Sequence, residues 1–368
     1  MQVGSRREWA RPLRHVDLPL FGVMLAIIAI GLVNLYSATH PRGGAKFDQQ
    51  LISFAIGFGL FALFAVLDYR AFIRVSYLLY GACVVALLFV WLPGLGIEKK
   101  GAHRWFGYGP LPVQPSELMK IGLLFALARN LHDEPSREGR GILGLLAPLA
   151  MTALPMVIIA AQPDLSTATI LFLLFLSIMV VVRLKLRSVL VLAAVTLATL
   201  VVVWFSLEPY QRERISGFLW PDPQGHGWQA DQSVIAIGAG QLFGKGFMHS
   251  SQARMKFLPE HWTDFPFAVF GEEWGFAGCL IVLALYLFLI LWALNLASQA
   301  RDRFGAVLCV GAAALFFWHV LINVGMVTRL LPVMGVTLPL VSYGGWSIFA
   351  NMMALGLLMS VSIRRFGH

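Results

Sequence analysis

Apolar residues in this chain come in long runs, with polar positions gathered between them. Ten stretches carry few or no charges, at about 16–36, 50–67, 74–92, 115–131, 142–161, 165–182, 188–207, 266–297, 304–328 and 337–363. As helices rising about 1.5 Å per residue, runs of this size cross or nearly cross a hydrocarbon layer of about 30 Å. A strand barrel would alternate apolar and polar positions, and these runs do not. Lipid offers no partner to an open backbone, so helix is the form such runs adopt. The pattern predicts an all-α polytopic membrane protein of about ten transmembrane helices, a single integral membrane domain over residues 1–368.

The polar segments orient the spans. Residues 1–15 carry Arg6, Arg7, Arg11 and Arg14 ahead of the first run. A secretory signal starts this way, but the run is too long and no small-residue cleavage site follows, so it reads as a retained first helix. With the N-terminus in the cytoplasm, the inner segments 68–73, 132–141, 183–187, 298–303 and the C-terminal tail hold most of the remaining Lys and Arg, as the positive-inside rule requires. The cluster Lys99–Arg104 is the main exception. Two outer segments are long, 93–114 and 208–265. The second, between spans 7 and 8, is expected to carry part of a site, because loops of that length are uncommon unless functional or disordered. Its stretch WQADQSVIAIGAGQLFGKGF is partly amphipathic and could lie along the membrane surface.

Composition agrees: 58% of residues are hydrophobic and 13% charged, too few charges to cover a soluble core. The net charge of +9 would suit nucleic acid, but the bases are scattered as anchors between spans, which excludes that partner. Cys83, Cys279 and Cys309 sit apart in apolar runs without metal-ligand spacing. GAGQLFGKGF is neither a Walker loop nor a dinucleotide fingerprint, which excludes a nucleotide site.

The candidate chemistry lies at the outer edges of the spans. KFLPEHWTDFPFAVFGEEWGFAG, residues 256–278, brings Glu260, Asp264, Glu272 and Glu273 to a lipid boundary, where a carboxylate is expensive to keep. Asp264 is either a catalytic base or, with Thr263, an N-cap of the following helix. Glu272 or Glu273 could pair with a nearby base. In QPSELMK, Glu117 and Lys120 share a helix face, as a structural ion pair or as a cavity lining. GAHRWFGYGP offers His103, Arg104 and Trp105. Arg suits a phosphate, although an interfacial anchor would look the same. In QPDLSTA, Asp164 reads as a cap or turn residue rather than a catalyst. The Gly- and Pro-rich stretch 323–346 is either a broken or re-entrant helix that brings Arg329, Ser342 and Tyr343 to the site, or a tight outer loop.

These motifs together resemble the SEDS family of bacterial cell-wall polytopic proteins over nearly the whole chain. The matching pieces are GAHRWFGYGPLPVQPSELMK, QPDLSTA, LPEHWTDFPFAVFGEEWGFAG and the run from NVGM to LLPVMGVTLPLVSYGG. DQSVIAIGAGQLFGKG is more similar to the elongation branch, RodA, than to the division branch, FtsW. The resemblance implies a peptidoglycan glycosyltransferase that polymerises lipid II on the outer leaflet of the bacterial inner membrane. It would work with a class B penicillin-binding protein that cross-links the product, and with other elongation-complex proteins. The family's essential aspartate falls on Asp264, and its conserved Glu and Lys fall on Glu117 and Lys120. The chain departs from the family pattern at Trp262 (usually His), Pro266 (aliphatic), Arg329 (Gly), Thr337 (Pro), Trp346 (Ser) and Ser166 (Gly).

An attacking sugar hydroxyl needs a base, the role expected of Asp264. The departing pyrophosphate needs positive charge, for which Arg104, Lys120, Lys245, Arg254 and Arg329 are the candidates. Trp105, Glu260 and Ser342 complete the expected substrate contacts. The resemblance implies a Mg²⁺ or Mn²⁺ requirement without showing a ligand set, and nothing points to an organic cofactor. A lipid-precursor flippase would also use Glu117 and Lys120 but needs no base, and a scaffold for a penicillin-binding protein needs neither.

Overall fold

The computed structural model describes residues 16–40, 44–92, 96–99, 102–107, 112–134, 139–182, 184–206, 209–220, 228–251, 258 and 261–365. Residues 1–15, with their arginines, lie outside the described residues. Helices stand at all ten apolar stretches: α1 Leu18–Thr39, α2 Ala45–Val66, α3 Ala71–Phe89, α4 Pro115–Asp133, α5 Leu143–Ala161, α6 Leu165–Val181 and α7 Leu186–Ser206. After the shorter α8 Pro209–Leu219 and α9 Trp228–Ala239 come α10 Pro266–Gln299, α11 Arg303–Val327 and α12 Gly345–Arg364. Seven of them (α1, α2, α3, α5, α10, α11 and α12) are long and apolar enough to cross a membrane. The chain is a multi-span membrane protein. In α4 the first turns carry Glu117 and Lys120, and nearly the whole helix is enclosed by its neighbours.

The bundle is built around α4, α11 and α12, which are buried along most of their length. On this centre, α2 packs along α12, α10 along α11, α3 along α4, and α5 along α6. Leu78, Leu143, Val157, Val180 and Phe205 stay exposed on the outside of α3, α5, α6 and α7, a face suited to lipid tails.

Hydrogen bonds between helix ends define the two ends of the bundle. At one, Asn34 near the end of α1 donates to Pro266 O at the start of α10 (2.9 Å), and Gln162 after α5 donates to Leu87 O in α3 (2.8 Å). At the other, Asp17 caps α1 and accepts from Trp292 Nε1 of α10 (3.0 Å) and Ser362 Oγ of α12 (2.6 Å), with Arg365 Nη2 at 3.6 Å. There, too, Asp302 caps α11 and accepts from Tyr69 Oη (2.8 Å) and Arg70 Nε (3.2 Å). Burial and that carboxylate push the Tyr69 phenol up to about 12. This second end holds Arg70, Arg129, Arg301, Arg303, Arg364 and Arg365.

At 34 residues, α10 would run to about 50 Å, well beyond a hydrocarbon layer. It is broken at Gly275, whose φ of 66° and ψ of −166° are not helical. In an unbroken helix, the amides of Phe276 and Ala277 would bond the carbonyls of Glu272 and Glu273. Here the 240s turn is inserted instead. Phe276 N donates to Gln241 O (2.8 Å) and Ala277 N to Leu242 O (3.0 Å), while the freed carbonyls accept from Lys245 N (2.9 Å) and Gly246 N (3.0 Å). Four of the backbone groups opened by the break are thus paired again, as burial demands. GAGQLFGKGF therefore has a structural use: its turn must lie directly on a helix backbone.

Three differences from the sequence expectations follow. Residues 96–106 contain an antiparallel hairpin, β1 Gly96–Lys99 and β2 Ala102–Phe106, where the sequence showed only a long outer segment. The last helix starts at Gly345 rather than near 337, since residues 329–344 run irregularly before it. The amphipathic α9 docks on the protein: Ala230, Ser233 and Ala236 face inward against α10 and the end of α11, and Ser233 Oγ donates to Val327 O (2.6 Å).

Gly244 has φ +83°, and a Cβ there would stand 2.1 Å from Glu273 O; Gly246 has φ +97° but nothing closer than 3.7 Å. Gly244→Ala is expected to cost about 2 kcal/mol or more, from backbone strain plus overlap, and Gly246→Ala about 1 kcal/mol from strain alone. Thermal unfolding midpoints of the two purified variants in detergent check the order. Equal midpoints would remove the insertion as the cause.

Candidate active site

A cavity of about 450 Å³ lies at the end of the bundle opposite Asp17 and Asp302. Its wall is assembled from six places: Arg104 and Trp105 of β2, the first turns of α4, the start of α6, His319 of α11, the segment 335–337, and residues 343–347 leading into α12. Gln49 and Thr263 complete the rim. Three helices, α4, α6 and α12, begin at this cavity, so their N-terminal dipoles favour negative charge there.

The charged side chains on the wall are paired. Lys120 Nζ lies 2.7 Å from Glu117 Oε2 and 3.1 Å from His319 Nε2, and all three residues are buried. Asp164 caps α6 by accepting from Thr167 N (3.3 Å), and also accepts from Thr167 Oγ1 (2.9 Å) and Ser166 Oγ (3.0 Å). Arg104 reaches the same carboxylate at 3.7 Å and donates to Pro163 O. Asp164 is therefore the cap that the sequence suggested. It also anchors Arg104.

Asp264 is not the N-cap residue of α10. That position falls on Phe265, whose side chain makes no capping hydrogen bond. Asp264 is only partly buried, in the turn 261–264. Its Oδ2 faces Gly335, where a Cβ would lie 3.5 Å away, and Gly335 belongs to the cavity wall. The turn is held by Asn323 of α11, fully buried, whose Nδ2 donates both to Asp264 O (3.0 Å) and to Val336 O (2.7 Å). One amide thus fixes the carboxylate turn to the wall opposite it.

The irregular segment 329–344 is held mainly by partners outside itself. Gln50 of α2 donates to Ser342 O (3.0 Å) and accepts from Gly344 N (3.2 Å). Tyr286 Oη donates to Pro339 O (2.5 Å), and Tyr343 N donates to Trp262 O (2.8 Å). Ser342 Oγ accepts from Leu338 N (2.7 Å), which closes a turn inside the segment rather than serving the cavity. Non-helical backbone is tolerated in a membrane bundle only with such partners.

The structure thus gathers Arg104, Trp105, Glu117 and Lys120 around one cavity, and Asp264 lies beside Gly335 of its wall. Lys245 is elsewhere: its Nζ bonds Glu272 Oε1 (2.6 Å), and Glu272, wholly buried, also accepts from Ser250 Oγ (2.6 Å), Ser251 Oγ (2.6 Å) and Ser251 N (3.0 Å). Glu273 accepts from Ser37 of α1. Arg329 pairs with Asp231 of α9 rather than with the cavity. Glu260 and Arg254, and the side chain of His103, lie outside the described residues. Sequence reasoning missed His319 and gave Asn323 no role. A lone ionisable residue deep in an apolar run, as at His319, was the available signal.

The family model of the cell cycle proteins FtsW, RodA and SpoVE matches residues 17–366. The peptidoglycan glycosyltransferase MrdB of Escherichia coli K12 is 36% identical over 357 residues, which cover 95% of this chain and 94% of that protein. A chain from the structure of a peptidoglycan synthase complex that coordinates polymerization and crosslinking superposes with a TM-score of 0.81 at 33% identity, covering 96% of this chain and 99% of that one. The rod shape determining protein RodA of Thermus thermophilus superposes with a TM-score of 0.72 at 29% identity, covering 96% and 98%.

Replacing Asn323 by Leu removes the amide that donates to Val336 O and to Asp264 O, at an expected cost of about 1–3 kcal/mol. Hydrogen exchange should speed up at residues 335–337 and 264–268, while exchange at the Asp17 end stays unchanged. Unaltered exchange around Val336 would show that this amide does not hold the segment.

Proposed function

The chain belongs to the FtsW, RodA and SpoVE family of cell cycle proteins, and from that premise we propose that it is a peptidoglycan glycosyltransferase of the RodA, or elongation, type. It polymerises lipid II into glycan strands and releases undecaprenyl pyrophosphate. The names of its relatives and its likeness to two peptidoglycan-synthesis structures support this reading. The observation that carries it to residues is that Asp264 Oδ2 faces Gly335, on the wall of the cavity that Arg104 and Lys120 also line.

The chemistry follows from those positions. A sugar 4-hydroxyl attacks the anomeric carbon of a second lipid-linked sugar. The new C–O bond forms as the bond to the pyrophosphate oxygen breaks. The hydroxyl proton passes to Asp264, a general base, a contribution of about 10²–10⁴-fold in rate. A single base opposite the leaving group suits one displacement with inversion, by analogy with inverting glycosidases. Arg104 and Lys120, with the N-termini of α4 and α6, offset the charge on the departing pyrophosphate. Glu117 and Asp164 keep those cations in place, and Trp105 packs beside them. Among the described residues no group of three or more His, Cys, Asp and Glu could hold a metal ion, so no step is assigned to Mg²⁺ or Mn²⁺.

The protein sits in the bacterial inner membrane with both termini in the cytoplasm. The crowding of arginines at the Asp17 end supports that orientation, which puts the cavity on the outer side, where glycan is built. A class B penicillin-binding protein is its cross-linking partner within the elongation complex. The relative found in a complex that couples polymerization to crosslinking supports this assignment.

The test is polymerisation of lipid II by the purified protein with its penicillin-binding partner, cross-linking blocked and complex formation verified. Wild type should make strands, and Asp264→Asn should lose about 100-fold or more of the rate. Equal rates would remove Asp264 as the base. No strands from either protein would favour a flippase or a scaffold instead.

A further inference from the structure

The reaction as described gives no part to His319. His319 lines the wall, is buried, and lies beside Lys120, the cation assigned to the leaving pyrophosphate. We propose that His319 is a positioning residue whose Nε2 accepts a hydrogen bond from Lys120 and keeps that ammonium directed at the pyrophosphate site. The inference rests on the function proposed above.

The two partners of the imidazole decide its form. Nδ1 lies 2.7 Å from Leu315 O, a carbonyl, which can only accept. The ring therefore carries its proton on Nδ1. Nε2 lies 3.1 Å from Lys120 Nζ, an ammonium, which can only donate. Nε2 must therefore present a lone pair. Only the neutral Nδ1–H tautomer satisfies both contacts, whereas an imidazolium would set N–H against N–H.

This acceptor changes what Lys120 does. An ammonium three residues from a carboxylate on one helix tends to fold onto it, and Glu117 Oε2 is indeed 2.7 Å away. With Glu117 alone, Lys120 could lie flat along α4 as a quenched pair. Drawn toward α11 as well, it has two of its three N–H bonds fixed, and the third remains for a ligand. The device also joins both halves of the site. Leu315, His319 and Asn323 recur every four residues on one stripe of α11, so the helix that fixes Lys120 also fixes the turn of Asp264.

Two isosteres separate a positioning role from simple polar packing. Asn at 319 can reproduce the Nδ1–H donor to Leu315 O but offers no acceptor to Lys120. Gln can place a carbonyl oxygen where Nε2 stands. In the polymerisation assay, kcat of His319→Asn should fall about ten- to a hundred-fold, with KM for lipid II changing far less, and His319→Gln should stay within about three-fold of wild type. Wild-type kcat in the Asn variant, or equal losses in both, overturns the proposal. A second readout needs no activity: ¹⁵N spectra of histidine-labelled protein at pH 7, assigned by the signal lost in His319→Gln, should show the Nδ1–H tautomer. An Nε2–H or doubly protonated ring overturns the proposal even if wild type makes strands. A wild type that makes no strands defeats the glycosyltransferase reading itself, a result distinct from a failure of His319 alone.

Discussion

A backbone amide or carbonyl outside a helix, inside a membrane bundle, must find a partner other than water. Several of the buried polar side chains in this protein answer that requirement. At the break in α10, the 240s turn pairs the amides of Phe276 and Ala277 and the carbonyls of Glu272 and Glu273. The irregular segment 329–344 is carried by Asn323, Gln50, Tyr286 and Ser342. The end of α4 is closed by the buried Arg140, whose guanidinium bonds Asn130 O and Glu134 O. An unpartnered group at any of these places would cost on the order of several kcal/mol, so the polar residues are as constrained as the apolar core.

The same requirement shapes the cavity. An isolated buried ion is far more costly than a neutral group, so charge survives here only in sets. Glu117, Lys120 and His319 form one set, and Arg104, Asp164, Ser166 and Thr167 another. Each brings a cation and its paired carboxylate to the wall of one cavity. Asp264 lies beside this volume, on a turn that Asn323 ties to Val336 of the cavity wall. Glu272 has the composition of a catalytic carboxylate but serves the fold instead. Buried under Lys245, Ser250 and Ser251, it fastens the loop that breaks α10.

The departures from the family pattern have readable contexts. Arg329 stands where Gly is usual, and its φ of 60° lies in the left-handed region that Gly adopts most easily. Its ion pair with Asp231 offsets part of that strain. Thr337 pairs through its hydroxyl with Ser347 Oγ (3.0 Å), and Ser166 adds a donor to Asp164. Trp262, at the usual His, has Lys46 Nζ 3.1 Å from its ring centroid, so a cation still stands beside the Asp264 turn. Pro266 occupies the first turn of α10, where a missing amide costs nothing.

Run length and motif order were enough to read the apolar helices and the family, because lipid forces long apolar runs into helices whatever their neighbours do. Asp164 as a cap, and Glu117 with Lys120 as a pair, were legible too, since both depend on residues three apart in one helix. The duties of the remaining polar residues were not legible, because their partners are far along the chain. Lys245 finds Glu272, Arg329 finds Asp231, Lys120 finds His319, and Asn323 finds Asp264 only once the helices pack. The order of residues alone determined which side chains could carry charge into the membrane. Tertiary structure chose which of them face the cavity, because a buried polar atom is committed to whichever partner the fold brings within hydrogen-bonding distance.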